Sequence, residues 1–132
     1  MPKFGKKSLK QLETCHANLR KVFVEVIKTV DCSVLEGHRG KDRQNALYKE
    51  GKTKVKYPRG RHNEFLSRAV DVVPYPVNWS DRERFTLFAG FVLGIAKSMD
   101  INLRWGGDWN QNWEVNDNKV DDFPHFELKE KG

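Results

Sequence analysis

The chain of 132 residues is 38% hydrophobic and 32% charged, which excludes an intrinsically disordered protein and predicts one folded domain over residues 1–132. No apolar run approaches the roughly 20 residues of a membrane-spanning helix. The formal net charge of +6 favours a polyanionic partner, such as nucleic acid, anionic lipid or an acidic cell-wall polymer, without choosing among them.

The cysteines and the N-terminus indicate a cytoplasmic protein. Cys15 and Cys32 are not spaced as a Cys-x-x-Cys pair, which argues against a zinc knuckle or a redox motif, and we expect two buried free thiols. The basic N-terminal stretch lacks the apolar run and the cleavage site of a signal peptide. We therefore expect the protein to remain in the cytoplasm in which it is made unless something else releases it.

The first predicted element is a helix from Ser8 to about residue 30. Apolar residues recur at helical spacing over this range, and Ser8 with Gln11 three residues later has the pattern of a capping box. His16 lies near the apolar stripe of this helix, and we interpret it as a structural histidine and not as a ligand.

A strand, a turn and a short helix are predicted next. Residues 32–36 have the pattern of a strand, the glycines of residues 37–40 predict a turn, and residues 42–50 predict a polar helix that Gly51 ends. Arg39 lies in this turn, where binding residues are common, although a surface ion pair is an equally good interpretation from the residue alone.

The most basic segment of the chain is 52–62. Its lysines alternate with other residues, so an exposed strand or loop would present them on one side, where they could follow a phosphate backbone. No recognition helix, zinc finger or RNA-binding aromatic signature accompanies them. We therefore expect a basic loop beside an acidic substrate, and no nucleic-acid partner.

Residues 69–74 are the clearest predicted strand, because they are rich in β-branched residues. Asp71 lies in the middle of this strand between two valines. A carboxylate is costly to bury there unless it is paired or bound to a metal ion, and the sequence leaves both open.

A second long helix and two strands complete the predicted elements. Apolar residues predict a helix over 80–99, with Ser80 and Glu83 as a second capping box. Strands are predicted over 101–105 and 123–128, and in the latter His125 and Glu127 share one face.

The segment 108–121 is a polar loop that partly matches a calcium-binding loop. Asp108, Asn110 and Asn112 alternate as calcium ligands do, but the sixth position has no glycine and Lys119 stands where the bidentate acid belongs. A Ca2+ ion in this loop is one hypothesis, and a solvated loop without an ion is favoured.

The chain contains the residues of a catalytic zinc site. His62, Asp71 and His125 could supply three ligands and leave a position for water. Asp122 could then act as general base, and Arg39 could stabilise an oxyanion or hold a substrate carboxylate.

Two segments resemble the VanY-like zinc peptidases, which include D-Ala-D-Ala carboxypeptidases and phage endolysins that cut the L-Ala-D-Glu bond of peptidoglycan. His62 with Ala69-Val70-Asp71 resembles the His…Ala-x-Asp motif, and Asp122-x-x-His125 resembles the second motif. Residues 36–39 are similar to a Gly-x-Arg turn. The resemblance covers about residues 33–128 and is strongest to small phage endolysins.

The resemblance implies an α+β fold of the Hedgehog/D,D-peptidase-like kind, with a small antiparallel sheet that carries the zinc site and packs against two main helices. It implies one catalytic Zn2+ on His62, Asp71 and His125, with Asp122 as base. Arg39 is expected to act at the reacting carbonyl and in substrate binding, and Arg61 in substrate binding. Glu127 and Asp121 are expected to support the site. Asp121 also competes with Asp122 as the base.

Two features depart from the family pattern. Gly60 stands two residues before the first histidine, where the family usually has Ser. Asp71 follows His62 by nine positions with no glycine between them, whereas many members have a shorter step. We expect the longer loop to be tolerated, because loop length costs little free energy.

The expected function is that of a monomeric phage endolysin acting on the peptidoglycan stem peptide. It would wait in the host cytoplasm until lysis and bind the anionic wall through its basic surface. A D-Ala-D-Ala carboxypeptidase or dipeptidase with the same zinc chemistry is the alternative enzyme. A basic nucleic-acid-binding module and a zinc-dependent adhesive or signalling domain are the alternatives from other classes.

Overall fold

Four antiparallel strands form one sheet in the computed structural model, which describes residues 2–115 and 121–129. Helices cover one face of this sheet. The elements in chain order are α1 (Lys6–Leu12), α2 (Ala17–Val26), β1 (Cys32–Glu36), α3 (Lys41–Lys49), a short 3₁₀ turn (Arg61–Asn63), β2 (Ala69–Pro74), α4 (Arg82–Ser98), β3 (Leu103–Trp105) and β4 (His125–Leu128). The predicted α+β fold is confirmed.

The two inner strands, β2 and β4, lie side by side in the strand order β1-β2-β4-β3. Their register pairs Asp71 with His125 and Val70 with Phe126. Partners in an antiparallel pair project from the same face of the sheet, and successive residues project from opposite faces. The register therefore brings a carboxylate and an imidazole together on one face and apolar side chains together on the other.

The hydrophobic core lies on the apolar face of the sheet. Phe126 is fully buried and makes edge-to-face contacts with Phe23 of α2 and Phe88 of α4, at ring-centroid distances of 5.5 and 6.2 Å. Burying a side chain of this size contributes about 1.5–3 kcal/mol. This packing holds β4 in place, and with it the polar residues on the other face of the strand.

The predicted single helix from residue 8 to about 30 is wrong in its continuity. α1 ends at Leu12, and α2 starts at Ala17. His16 is the N-cap of α2, because its Nδ1 accepts a hydrogen bond of 3.0 Å from the backbone N–H of Asn18. This confirms its interpretation as a structural histidine.

The predicted first capping box is also wrong, because its residues bind a neighbouring strand. The N-cap of α1 is Gly5, and the Ser8 hydroxyl accepts from the N–H of Val34 in β1 at 3.0 Å. The Gln11 Oε1 atom accepts from the N–H of Gly37 at 3.1 Å. Ser8 and Gln11 lie three residues apart and therefore on one face of α1. Both accept hydrogen bonds from backbone N–H groups along the outer edge of the sheet.

The remaining elements agree with the sequence except at their ends. Strand 32–36 and strand 69–74 have the predicted bounds, and the helix predicted over 42–50 is α3. The helix predicted to begin at Ser80 begins at Arg82, because the side chain of Asp81 caps it by accepting from the N–H of Arg84 at 3.1 Å.

The two cysteines are free and buried, as expected. Burial raises the pKa of the Cys15 thiol to about 11 and that of the Cys32 thiol to about 12, so both stay protonated and unreactive at neutral pH. Among the described residues, no helix has both the length and the apolar character that crossing a membrane requires.

The contact between α1 and the sheet edge predicts a stability cost for Ser8→Ala. Ser8 is buried, and the substitution leaves the N–H of Val34 without its acceptor, which costs about 1–3 kcal/mol. Urea unfolding measures this loss. Ser98→Ala is the control, because that exposed hydroxyl bonds only to the carbonyl of Ile95 in its own helix. Equal stabilities of the two variants would contradict the role given to Ser8.

Candidate metal centre

Three side-chain atoms form a nearly equilateral triangle on the polar face of the sheet. The Oδ1 atom of Asp71 lies 3.3 Å from the Nε2 atom of His62 and 3.4 Å from the Nδ1 atom of His125. The two ring nitrogens are 3.3 Å apart. Ligand bonds of about 2.0–2.1 Å to a tetrahedral zinc ion require ligand atoms about 3.3–3.4 Å apart, so the spacing fits this ion.

Each histidine uses its other ring nitrogen in a hydrogen bond that turns the free nitrogen towards the triangle. The Nδ1 atom of His62 lies 2.7 Å from the carbonyl oxygen of Gly37, and the Nε2 atom of His125 lies 2.8 Å from the Oε1 atom of Glu127. A carbonyl or carboxylate can only accept, so each of these nitrogens donates. The other nitrogen of each ring forms a corner of the triangle and can serve as a metal ligand, as in protein metal sites.

The carboxylate of Asp71 supplies a further test of fit. Its Oδ1 atom is buried and has no hydrogen-bond partner of good geometry among the described residues. An unpaired charged oxygen in the protein interior is costly, and a cation is the natural partner for it. Two imidazoles and one carboxylate are a donor set that zinc accepts.

The charges of the cluster shift its pKa values in the metal-free protein. Burial acts to raise the pKa of Asp71, but the imidazoles of His125 and His62 outweigh it and lower that pKa below its ordinary value. Burial acts to lower the pKa of His125, but Asp71 and Glu127 outweigh it and raise that pKa to about 9. Without a metal ion, the cluster therefore keeps a proton on His125 at neutral pH.

Glu127, a predicted supporting residue, forms a hydrogen bond with one histidine of the triangle. It is buried beside His125, and it accepts a hydrogen bond of 2.7 Å from the Nη2 atom of Arg104. Although burial acts to raise the pKa of Glu127, His125 and Arg104 lower it to about 2. Glu127 is thus ionised at working pH and holds the imidazole of His125 in one orientation.

Asp122 and both predicted arginines line the cleft that contains the triangle. The cleft has a volume of about 610 Å3, and Asp122, Arg39 and Arg61 all contribute to its walls. The Oδ2 atom of Asp122 lies 3.9 Å from the Nδ1 atom of His125. Burial in the cleft raises the pKa of Asp122, although His125 acts against that rise.

Arg39 enters the cleft from the turn after β1. Its Nη2 atom lies 2.7 Å from the Oε1 atom of Glu36 and 3.7 Å from the Oδ2 atom of Asp71. Its backbone N–H donates to the carbonyl of His62 at 2.7 Å, so the turn that carries Arg39 is bonded directly to the turn that carries His62. The sequence left open whether Arg39 is a binding residue or a partner in an ion pair. Arg39 forms an ion pair with Glu36 and also lines the cleft.

Asp121 pairs with α4 and is not among the described residues that line the cleft. Its Oδ2 atom lies 3.4 Å from the Nη1 atom of Arg82 on α4, while Asp122 faces the cleft. Arg61 approaches Glu127, with an Nε–Oε2 distance of 3.6 Å. The positions of the two aspartates favour Asp122 over Asp121 as a general base.

Several residues of the cleft were not predicted as site residues. The ring of Trp109 lies 5.4 Å from that of His125, and the guanidinium of Arg104 lies 5.4 Å from the centre of the Trp109 ring. Glu36 and Gln44 also line the cleft. All four contact a predicted site residue, and a short sequence pattern does not encode such contacts.

The predicted calcium loop is described only in part, because residues 116–120 lie outside the described residues. Within the described part, Asp108 is buried and accepts from the backbone N–H groups of Asn112 and Trp113 at 3.3 and 2.9 Å. Its carboxylate therefore orders its own loop. The Ca2+ hypothesis stays a prediction.

Comparisons with known proteins agree on one activity. Residues 1–129 match the family described as phage L-alanyl-D-glutamate peptidase. The chain is 29% identical over 120 residues to the L-alanyl-D-glutamate peptidase of Escherichia phage T5, and the match covers 87% of each protein. It is similar to the crystal structure of the Serratia marcescens L-Ala D-Glu endopeptidase ChiX, with a TM-score of 0.77, 28% identity and coverage of 96% of this chain and 90% of that one.

The raised pKa of His125 predicts that metal binding releases a proton. Below about pH 9, Nδ1 of His125 carries a proton that a metal ion must displace, so zinc affinity should rise with pH over this range. Zinc titration calorimetry in two buffers of different ionisation enthalpy measures the release. Heats independent of the buffer at pH 7.5 would contradict the assignment.

Proposed function

The chain belongs to the phage L-alanyl-D-glutamate peptidase family, and we propose that it is a zinc-dependent endopeptidase that hydrolyses the L-Ala-D-Glu bond of the peptidoglycan stem peptide. The triangle of His62, Asp71 and His125 is the observation that carries the zinc chemistry. The family, the phage relative and the structural neighbour carry the choice of bond, because each is described by it.

His62, Asp71 and His125 would hold the zinc ion. When bound, zinc lowers the pKa of a water molecule to about 7 and polarises a carbonyl group, which is the chemistry that peptide hydrolysis needs. Gly37 and Glu127 keep the imidazoles oriented for this ion through the hydrogen bonds described above. The protein thus supplies three ligands and leaves the cleft side open to water and substrate.

Asp122 would act as general base and then as general acid. Its carboxylate is 48% exposed in the cleft and 3.9 Å from a ligand nitrogen, so it can reach both a water molecule at the ion and the scissile bond. It accepts the proton of the attacking water and passes it to the departing amine of D-Glu. The raised pKa of Asp122 favours the first transfer, because the conjugate base of a weaker acid accepts a proton more readily.

Arg39 and Arg61 would act on the substrate. The largely buried guanidinium of Arg39 can stabilise the negative charge that develops on the carbonyl oxygen of L-Ala. Arg61 is more exposed and already lies beside the carboxylate of Glu127, so it is suited to bind a carboxylate of the stem peptide.

Two rival functions are less well supported. A D-Ala-D-Ala carboxypeptidase would use the same ligands, but each of the comparisons is described by the L-Ala-D-Glu bond. A nucleic-acid-binding module would use the basic segment 52–62 and would have no need of three ligands, a base and an arginine in one cleft. The basic segment instead forms one wall of that cleft.

The biological role we propose is lysis of the host cell wall at the end of a phage infection. The phage relative supports this role. In this proposal the protein accumulates in the host cytoplasm as a monomer and reaches the wall when the membrane is permeabilised. The net charge of +6 would favour its binding to the anionic wall.

Mass spectrometry of peptidoglycan digests tests the proposed function. The zinc-loaded protein is incubated with the stem peptide L-Ala-D-Glu-diamino acid-D-Ala-D-Ala and with purified crosslinked wall. We expect free L-Ala from the peptide and fragments that begin with D-Glu from the wall. Release of terminal D-Ala would assign the carboxypeptidase activity instead, and no cleavage of either substrate would contradict the proposal.

The same assay separates the roles of the site residues. Asp122→Ala should keep zinc and lower kcat by about 10²–10⁴-fold, because it removes only the proton transfer. His125→Ala should lose both zinc and hydrolysis. Asp121→Ala is the matched control, since its carboxylate pairs with Arg82, and it should remain active. An active Asp122→Ala variant would show that the base is assigned wrongly.

A further inference from the structure

Gln44 is a buried polar side chain at the wall of the cleft. It lies on α3 and is only 1% exposed, although most other residues of this helix are exposed. An amide is costly to bury unless its oxygen and nitrogen both find partners. The hydrogen-bond partners of the Gln44 amide therefore indicate its role.

The amide of Gln44 joins Arg39 to the basic wall of the cleft. Its Oε1 atom accepts a hydrogen bond of 3.1 Å from the Nη1 atom of Arg39. Its Nε2 atom donates to the carbonyl of Val55, inside the basic segment 52–62. One side chain thus fixes both the guanidinium that faces the metal site and the loop that forms the rim above it.

A second buried amide completes this arrangement. The Nδ2 atom of Asn63 donates to the Oε1 atom of Gln44 at 3.1 Å and to the carbonyl of Arg39 at 3.0 Å. Its Oδ1 atom accepts from the N–H of Gly60 at 2.8 Å. Asn63 directly follows His62, so the pair of amides connects the metal ligand's turn with Arg39.

Gly60 provides the space that these amides occupy. A Cβ atom at this position would lie 2.7 Å from the Oδ1 atom of Asn63 and 3.1 Å from the Oε1 atom of Gln44. Both distances are shorter than ordinary van der Waals contact. The glycine is therefore required by the close approach of the two amides and not by its own backbone conformation.

We propose that Gln44 is a positioning residue for peptide hydrolysis: it holds the guanidinium of Arg39 at the angle at which it meets the reacting carbonyl oxygen. The inference rests on the proposed function of the cleft. Glu36 fixes the Nε and Nη2 side of the guanidinium at 3.1 and 2.7 Å, and Gln44 fixes the Nη1 side. Two acceptors on different edges define the plane of the group.

The neutral charge of Gln44 suits this role. Glu36 and Asp71 already place two carboxylates beside Arg39. A third would offset the positive charge that must stabilise the developing oxyanion, whereas an amide oxygen orients the guanidinium without adding a negative charge. Gln44 therefore orients the guanidinium of Arg39 without placing a third negative charge beside it.

The test measures Gln44→Met, which fills a similar volume but removes all three hydrogen bonds. We expect kcat for the stem peptide to fall by about tenfold to a hundredfold, as a small misplacement of a reacting group does, while KM changes less and zinc content stays the same. In an Arg39→Ala background, the same substitution should have almost no further effect, because Gln44 acts through Arg39. An equal loss of kcat in both backgrounds would overturn the proposal.

Two further variants guard against simple misfolding. Gly60→Ala keeps the amides of Gln44 and Asn63 but displaces them, so it should also lower kcat while the protein stays folded. Asn45→Ala is the matched control: its Oδ1 atom also holds the basic segment from α3, by accepting from the N–H of Tyr57 at 3.3 Å, but it has no contact with Arg39. Asn45→Ala should keep the parent kcat, and a loss as large as that of Gln44→Met would assign the effect to the loop.

A readout without substrate separates this inference from the proposed function. The Nη1–H of Arg39 donates to Gln44, so its NMR signal should be protected from solvent exchange in the parent protein and in Asn45→Ala. Gln44→Met should lose that protection. A protected signal in Gln44→Met would overturn the positioning role even in an active enzyme. Loss of protection with no hydrolysis by the parent protein would instead keep the contact and reject the proposed function.

Discussion

The buried charge of Asp71 is the constraint on which the rest of the site depends. The residue lies between Val70 and Val72 in an inner strand, and its Oδ1 atom has no good hydrogen-bond partner among the described residues. A carboxylate there is stable only with positive charge close by. His62 and His125 supply nitrogens at 3.3 and 3.4 Å, and a divalent ion between the three atoms would satisfy all of them.

The antiparallel register and the packing of the core together position the residues of the site. Phe126 packs against helices on one face of β4, which places His125 and Glu127 on the other face, opposite Asp71 of β2. His62 comes from a loop and needs a separate support, which the carbonyl of Gly37 provides. Core packing therefore fixes two of the three ligands, and one hydrogen bond orients the third.

The sequence predicted the strands because each leaves a local signature, such as the β-branched run around Asp71. It predicted the three ligands mainly through their resemblance to the motifs of a known family. It failed at Ser8, because the spacing of three residues between Ser8 and Gln11 fits a capping box, whereas Ser8 bonds to β1. It did not find Gln44, because a buried amide differs from a surface one only through partners distant in sequence. Such contacts between residues distant in sequence orient the side chains of the cleft.

X-ray absorption at the zinc edge of the zinc-loaded protein tests the central claim most directly. The account predicts about four nitrogen and oxygen neighbours at about 2.0–2.1 Å, including two imidazoles, and an unchanged spectrum in Asp122→Asn. Sulfur at about 2.3 Å would place the ion at a cysteine instead. That result, or a spectrum that His125→Ala leaves unaltered, would contradict a zinc site built from His62, Asp71 and His125.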